Sequence, residues 1–125
     1  TNSWRCSRNV CDYIRNNMGI EIYSNRSELD NTSIEFLSGP DASSIIDNGD
    51  IIKLHYQNAA KSGTGHKNWG EVKGVDHYQD VCVMLNKTTA IKRASCCLHE
   101  LAFLTKNKLY VAITRARGNV FLIDE

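Results

Sequence analysis

The sequence predicts a single α/β domain built on a mostly parallel β-sheet, and three observations support this. Its 125 residues suit one domain and are too few for two ordinary ones. Hydrophobic residues make up 42% and charged residues 23% of the chain, a balance that excludes the disordered and collagen-like classes. Short β-branched runs also alternate with segments of helical periodicity, and strands interleaved with helices are typical of α/β proteins.

The first half of the chain predicts one long helix, three strands and a short helix. Ser7 is expected to cap the first helix and Gly19 to end it, because apolar residues recur every three or four positions between them. β-branched residues then cluster in three short runs that predict strands, at 20–23, 34–37 and 51–56. A turn at the only proline and a short helix over 41–47 separate the last two.

The second half predicts a long loop followed by two strands and two helices. Residues 58–74 are rich in Gly, Lys, Ser and Asn, which predicts a loop. The run 81–85 is continuously apolar, as in strands buried on both faces of a sheet. A short helix is expected over 94–104, and an apolar stripe predicts another over 108–117. The final strand is expected at 120–123.

Charge and cysteine content exclude several classes of protein. A net charge of +1 argues against a protein that coats nucleic acid unaided. No apolar run approaches the roughly 20 residues that span a bilayer, and residues 1–5 carry no signal segment, so no membrane partner is expected. The five cysteines lack C-x-x-C spacing, which predicts buried thiols in a reducing cytoplasm and no metal. The missing initial Met and the strand-like end indicate a piece of a longer chain.

The strongest chemical signal is the segment KLYVAITRAR at 108–117. At 100° per residue, Arg115 is expected near the edge of the buried face of the helix. A guanidinium there is costly unless it pairs with an anion, and a nucleotide phosphate is the obvious candidate. The alternative is a solvated helix end, where a cation suits the helix macrodipole.

This segment closely resembles motif VI of superfamily 1 helicases of the UvrD/Rep type, in which the helix ends in a YVA(L/I)TRA string. The resemblance implies that Arg115 is an arginine finger. It would reach the γ-phosphate of ATP and stabilise the charge on the transferring phosphoryl group. The same resemblance places Thr114 among the nucleotide contacts.

The N-terminal string NSWRCS at 2–7, followed by an amphipathic helix, resembles motif IV of the same family, which often reads NYRS. By this resemblance Trp4 stacks on the adenine and Arg5 is a second contact to the γ-phosphate. Trp in place of Tyr keeps the π face that stacking needs. Without the resemblance, a Trp-Arg pair at a domain edge is more often a packing feature.

A third segment, NWGEVKGVD at 68–76 followed by DVCVML at 80–85, resembles motif V with its KG(L)E(F)…DVV core. Gly74 permits close approach of the backbone to a phosphate. Asp76 stands where the Glu of the family contacts the ribose or the nucleotide edge.

The nucleic-acid contact in this segment departs from the family pattern. The family usually has Thr-x-His ahead of the Lys-Gly pair, whereas this chain has Asn68 and Trp69 there. Trp69 is expected to stack on a base of single-stranded DNA, with Asn68 and Lys73 as further contacts. The preceding stretch 61–68 is not a P-loop, because His66 and Asn68 break the G-x-x-x-x-G-K-[ST] pattern.

The three motifs follow the family order IV, V, VI, and the Walker A and Walker B segments are missing. The resemblance therefore implies that residues 1–125 are the second RecA-like domain of an ATP-dependent DNA helicase, inactive alone. An N-terminal RecA-like domain would hold ATP with Mg²⁺, and hydrolysis would drive translocation on single-stranded DNA. Two alternatives remain, an RNA-virus-type superfamily 1 RNA helicase domain and a nucleotide-gated switch that does not unwind.

Overall fold

The computed structural model describes residues 2–3, 6–25, 32–56, 66–69 and 79–125. The helices in these ranges are α1 (Arg8–Met18), α2 (Gly39–Ile46), α3 (Lys87–Ala94) and α4 (Phe103–Thr114), with a 3-10 turn at Leu98–Glu100. The strands are β1 (Asn2–Ser3), β2 (Tyr23–Ser24), β3 (Ile34–Leu37), β4 (Ile52–His55), β5 (His66–Asn68), β6 (Val81–Leu85) and β7 (Val120–Asp124).

Five of these strands form one sheet in the order β3–β7–β6–β4–β5, and every neighbouring pair is parallel. This arrangement confirms the predicted α/β class with a mostly parallel sheet. The continuously apolar strand β6 lies in the middle of the sheet with all five residues buried, as its sequence indicated. β1 and β2 form a separate parallel pair, in which Asn2 lies opposite Tyr23.

Helices cover both faces of the sheet. On one face α1 and α4 pack against alternate residues of the central strands, including Val83 and Leu122. On the other face Ala42 of α2 packs against a smaller apolar cluster. Its buried members from the sheet are Cys82, Met84 and Ile123. The two faces alternate along each strand, which is the period of two that β-structure imposes.

The first helix forms where its sequence predicts it. The hydroxyl oxygen of Ser7 accepts a hydrogen bond from the amide of Val10 at 3.2 Å, which satisfies one of the free N–H groups of the first turn. Gly19 ends the helix in the left-handed conformation with φ of 69°, which glycine adopts without a steric cost. The buried side chains between them are those of the predicted apolar face, Val10, Cys11, Ile14 and Met18.

The predicted helix over 94–104 is wrong. α3 begins at Lys87 because the side chain of Asn86 accepts a hydrogen bond from the Thr89 amide at 3.3 Å and caps the helix immediately after β6. The chain then reverses at Cys96, which has a φ of 58°. That left-handed residue breaks the helical path, so the segment contains the 3-10 turn before α4 begins.

Several further boundaries differ from those predicted. The strand expected at 20–23 is only Tyr23–Ser24, in the separate pair with β1. α4 begins at Phe103, five residues before the predicted start at 108. Its first two residues, Phe103 and Leu104, are exposed, so the buried apolar stripe that marks the rest of the helix does not extend to its true beginning. It ends at Thr114 rather than 117. Strand β5 lies inside the segment predicted as a loop. Its three residues are all polar, so only its pairing with β4 identifies it.

Candidate functional site

Arg115 lies directly after the last residue of α4, near the edge of the sheet at which the strands begin, here called the amino edge. Its neighbours Ile113 and Ala116 are buried, whereas Arg115 is half-buried, as expected for the margin of the packed face. The guanidinium folds back along its own helix. Its Nε donates to the backbone oxygen of Val111 at 3.2 Å, and its Nη2 donates to the hydroxyl of Thr114 at 3.4 Å.

Thr114 supports this arginine from within the helix. Its hydroxyl donates to the backbone oxygen of Tyr110 at 2.8 Å and therefore presents its lone pairs to the guanidinium. The residue is only 4% exposed. This placement argues against the predicted direct contact between Thr114 and a nucleotide, and favours a role in positioning Arg115.

The N-terminal segment is joined to the same helix end. Trp4 and Arg5 lie outside the described residues. The next residue, Cys6, is buried, and its thiol donates to the backbone oxygen of Thr114 at 3.7 Å. Its backbone oxygen accepts a hydrogen bond from the hydroxyl of Ser24 at 2.7 Å. The residue that follows Arg5 is thus fixed beside the residue that precedes Arg115.

The residues that follow the NWGEVKGVD string reach the same edge. Lys73, Gly74 and Asp76 lie outside the described residues. Gln79 and Asp80, which lead into β6, are bonded to the residues just after Arg115. The amide of Gly118 donates to the backbone oxygen of Gln79 at 2.6 Å, and the amide of Asn119 donates to Oδ1 of Asp80 at 2.8 Å.

Asn119 extends this network to a third strand. Its side-chain oxygen accepts from the amide of Ser33 at 2.9 Å, and its backbone oxygen accepts from Val81 at 3.0 Å. The beginnings of β3, β6 and β7 are therefore tied together. We call this network, made of Ser33, Gln79, Asp80, Gly118 and Asn119, the amino-edge junction.

Trp69 does not lie on the surface. It is fully buried, its indole N–H donates to the backbone oxygen of Leu54 at 3.0 Å, and its ring meets Tyr56 edge-on with centroids 5.3 Å apart. This corrects the expectation that its ring stacks on a base, because a stacking platform must present a face to the nucleic acid. Asn68 ends β5 opposite His55.

The opposite, carboxyl edge of the sheet carries features that the sequence reasoning missed. Nδ1 of His55 lies 3.2 Å from Oε1 of Glu125, and its Nε2 lies 2.7 Å from Nδ1 of His66. Burial, the neighbouring His55 and Lys53 together lower the pKa of His66. No local sequence motif reveals this hydrogen-bonded group, because its members are up to 70 positions apart and meet only through the pairing of the strands.

Two open cavities also lie at the carboxyl edge, on either side of Asp124. One has a volume of about 590 Å³ and lies between the end of β6 and α3, with Lys87 and Ile91 among its lining residues. The other, of about 470 Å³, lies between the end of β3 and α2, with Leu37 and Pro40 among its lining residues. The crevice beyond the carboxyl ends of the strands is where open α/β sheets usually bind small molecules.

Among the residues that the structure describes, no three His, Cys, Asp or Glu side chains group closely enough to hold a metal ion. In the same part of the chain, no helix has the length and apolar character needed to cross a bilayer. Comparisons with protein-family models, with curated proteins and with solved structures found no match.

Proposed function

We propose that this chain is the second, RecA-like motor domain of a superfamily 1 ATP-dependent DNA helicase, in which Arg115 acts as an arginine finger. One observation carries the proposal. The three segments that resemble motifs IV, V and VI are far apart in the sequence, yet residues within or directly beside each of them meet near the amino edge. Cys6 contacts Thr114, and Gln79 contacts Gly118.

The position of this cluster fits a residue that acts on a nucleotide held elsewhere. An open α/β sheet usually binds its own small molecule beyond the carboxyl ends of its strands. Arg115 and the amino-edge junction lie at the other edge. A guanidinium supplied from there suits a phosphate bound by a neighbouring domain, which is how an arginine finger works in trans.

Two of the hydrogen bonds that Arg115 makes are compatible with this role. Both Val111 O and the Thr114 hydroxyl are uncharged acceptors. A charge-assisted bond to a phosphate is roughly twice as strong as a neutral one, so phosphate oxygens would compete well for the same N–H groups. In this proposal, Arg115 exchanges these contacts for phosphate contacts when two domains close.

The remaining roles follow the resemblance. Trp4 stacks on the adenine, Arg5 is the second phosphate contact, and Gly74 and Asp76 approach the nucleotide from the motif V side. Binding of ATP with Mg²⁺ would supply the free energy that closes the cleft between the two RecA-like domains, and hydrolysis would allow that cleft to reopen. The Mg²⁺ ligands belong to the neighbouring RecA-like domain, and single-stranded DNA is the track.

A steady-state ATPase measurement tests the proposal, with this chain joined to or mixed with the domain that carries the Walker A and Walker B segments. Arg115→Ala is expected to lower kcat by about a thousandfold, as for other arginine fingers. Arg115→Lys should recover little of the lost kcat, because the lysine ammonium lacks the planar, two-pronged arrangement of N–H groups of a guanidinium. The matched control is Arg117→Ala, two residues further on and exposed, which should stay within a few-fold of the wild type. Equal rates for Arg115→Ala and the wild type would refute the proposal.

The burial of Trp69 favours a second candidate, a nucleotide-gated switch that hydrolyses ATP without unwinding. The aromatic residue expected to grip a base is part of the core, and the Thr-x-His of the family is replaced. Strand-displacement and ATPase assays on the same preparation separate the two functions. DNA-stimulated ATPase without displacement supports the switch, and displacement coupled to ATPase supports the motor.

A further inference from the structure

Two histidines and a glutamate form a hydrogen-bonded chain across three elements of the sheet. His55 ends β4, His66 begins β5, and Glu125 follows β7. The central histidine is 8% exposed, whereas the side chain of Glu125 is 40% exposed. The bond between Nε2 of His55 and Nδ1 of His66, at 2.7 Å, joins the edge strand β5 to β4 through side chains.

The hydrogen positions in this chain follow from what each group can donate. A carboxylate only accepts, so Nδ1 of His55 carries a hydrogen toward Glu125. In the uncharged pair, Nε2 of His55 is then the acceptor and Nδ1 of His66 donates to it. One added proton, on either ring, still leaves a single hydrogen between Nε2 of His55 and Nδ1 of His66. The bond between the rings therefore survives the first proton.

A second proton removes this bond. Both facing nitrogens would then carry hydrogens 2.7 Å apart, and no acceptor would remain between the rings. Lys53 adds to the repulsion, because it lies opposite His66 in the β4–β5 register and is only 3% exposed. Cys82 of β6 lies opposite Lys53, and burial raises the pKa of its thiol to about 11, so it adds no compensating negative charge.

We propose that the hydrogen-bonded group Glu125–His55–His66 is a proton-sensitive latch, which keeps β5 on β4 while the two histidines carry no added proton or one and releases it when they carry two. β5 has only three residues and, among the described strands, pairs only with β4. The contact between the histidines therefore adds a side-chain link to the backbone pairing of a short strand. Trp69 follows β5 directly and its indole N–H bonds to Leu54 of β4, so the release of β5 would also loosen the packing of Trp69. This latch does not depend on the proposed helicase activity.

Hydrogen exchange of the backbone amides, followed by NMR across the acidic range, tests the latch on this chain. As the pH falls through the range in which release takes up the second proton, the exchange protection of residues 66–69 is expected to fall about tenfold per pH unit. One linked proton changes an opening equilibrium by that factor. Protection in β6 and β7 should stay constant over the same range. If the exchange protection of β5 changes with pH in the same way as that of β6 and β7, the proposal is overturned.

Two variants sharpen the test. His66→Asn keeps a hydrogen-bonding side chain that does not titrate, so the protection of residues 66–69 should lose its pH dependence. His99→Gln is the matched control, because His99 is an exposed histidine on the 3-10 turn, and it should behave like the wild type. The same pH dependence in His66→Asn as in the wild type would overturn the latch. If that variant fails to fold, the imidazole nitrogen shifts of the wild type decide, because the latch requires two separate protonation steps, and a single step with β5 still protected contradicts it.

Discussion

The amide of Gly118 donates a hydrogen bond to the backbone oxygen of Gln79 at 2.6 Å, and this contact leaves no room for a side chain at residue 118. A Cβ placed there would lie 3.0 Å from the Gln79 oxygen and 2.9 Å from its Nε2, and closer still to Asp80 Oδ1. Gly118, which lies three residues after Arg115, is therefore required by the approach of two backbones, not by an unusual φ angle.

Gly118→Ala is accordingly expected to destabilise the fold by about 1–3 kcal/mol, the usual cost of forcing a group into a packed site. Urea unfolding followed by circular dichroism measures the loss. Gly49→Ala is the matched control, because a Cβ at Gly49 meets nothing within 4 Å, and it should leave the free energy of unfolding unchanged or slightly higher. Equal free energies of unfolding for the two variants would show that residues 79–80 can shift to accommodate the new methyl group without destabilising the fold.

The parts of the fold that could be predicted from sequence are those that local chemistry determines. Ser7 and Gly19 mark the ends of α1 by capping and by a left-handed stop, and β6 is apolar throughout because it is central. These signals depend on neighbouring residues only. They needed no knowledge of the tertiary structure.

The rest could not be predicted because it depends on partners distant in sequence. β5 is polar and becomes a strand only through its register with β4. The contact between His55 and Glu125 joins residues 70 positions apart. The same limit explains the error at Trp69, since an exposed and a buried tryptophan have the same local sequence. In the core its indole N–H needs a partner, which is the backbone oxygen of Leu54, 15 positions away.

The burial of Trp69 can be measured by fluorescence. The chain has two tryptophans, so Trp4→Phe leaves Trp69 as the only indole. We expect a blue-shifted emission and weak quenching by acrylamide, both lost in denaturant. Single-stranded DNA should not quench this emission directly. Strong acrylamide quenching under native conditions would contradict the core position and would restore Trp69 as a base-stacking candidate.

The thiols divide into reactive and protected groups. Cys6, Cys11 and Cys82 are buried, and a hydrogen bond to Cys6 together with burial raises the pKa of Cys11. Because the thiolate is the nucleophile, these three are expected to resist a thiol-specific reagent such as DTNB until the protein unfolds. Exposed Cys96 should react first and Cys97 more slowly. Cys96→Ser should remove the fast phase, and a third fast equivalent in the native protein would contradict the structure.

Stability should also depend on pH through His66. Burial, His55 and Lys53 lower the pKa of the folded residue below its ordinary value of 6.5. As the pH falls through that value, the unfolded chain binds a proton that the folded chain does not yet bind, so the free energy of unfolding decreases. For one proton the slope is at most about 1.4 kcal/mol per pH unit.

The measurement is a set of urea unfolding curves between about pH 6.5 and pH 5, a range in which histidines titrate and carboxyl groups contribute little. The slope in this range should be smaller in His66→Asn than in the wild type, and His99→Gln should keep the wild-type slope. A wild-type stability that falls less steeply with decreasing pH than that of His66→Asn would mean that folded His66 binds the proton more tightly than the unfolded residue does. That result would place an acid close to His66 and would contradict the repulsion by Lys53 and His55 on which the lowered pKa depends.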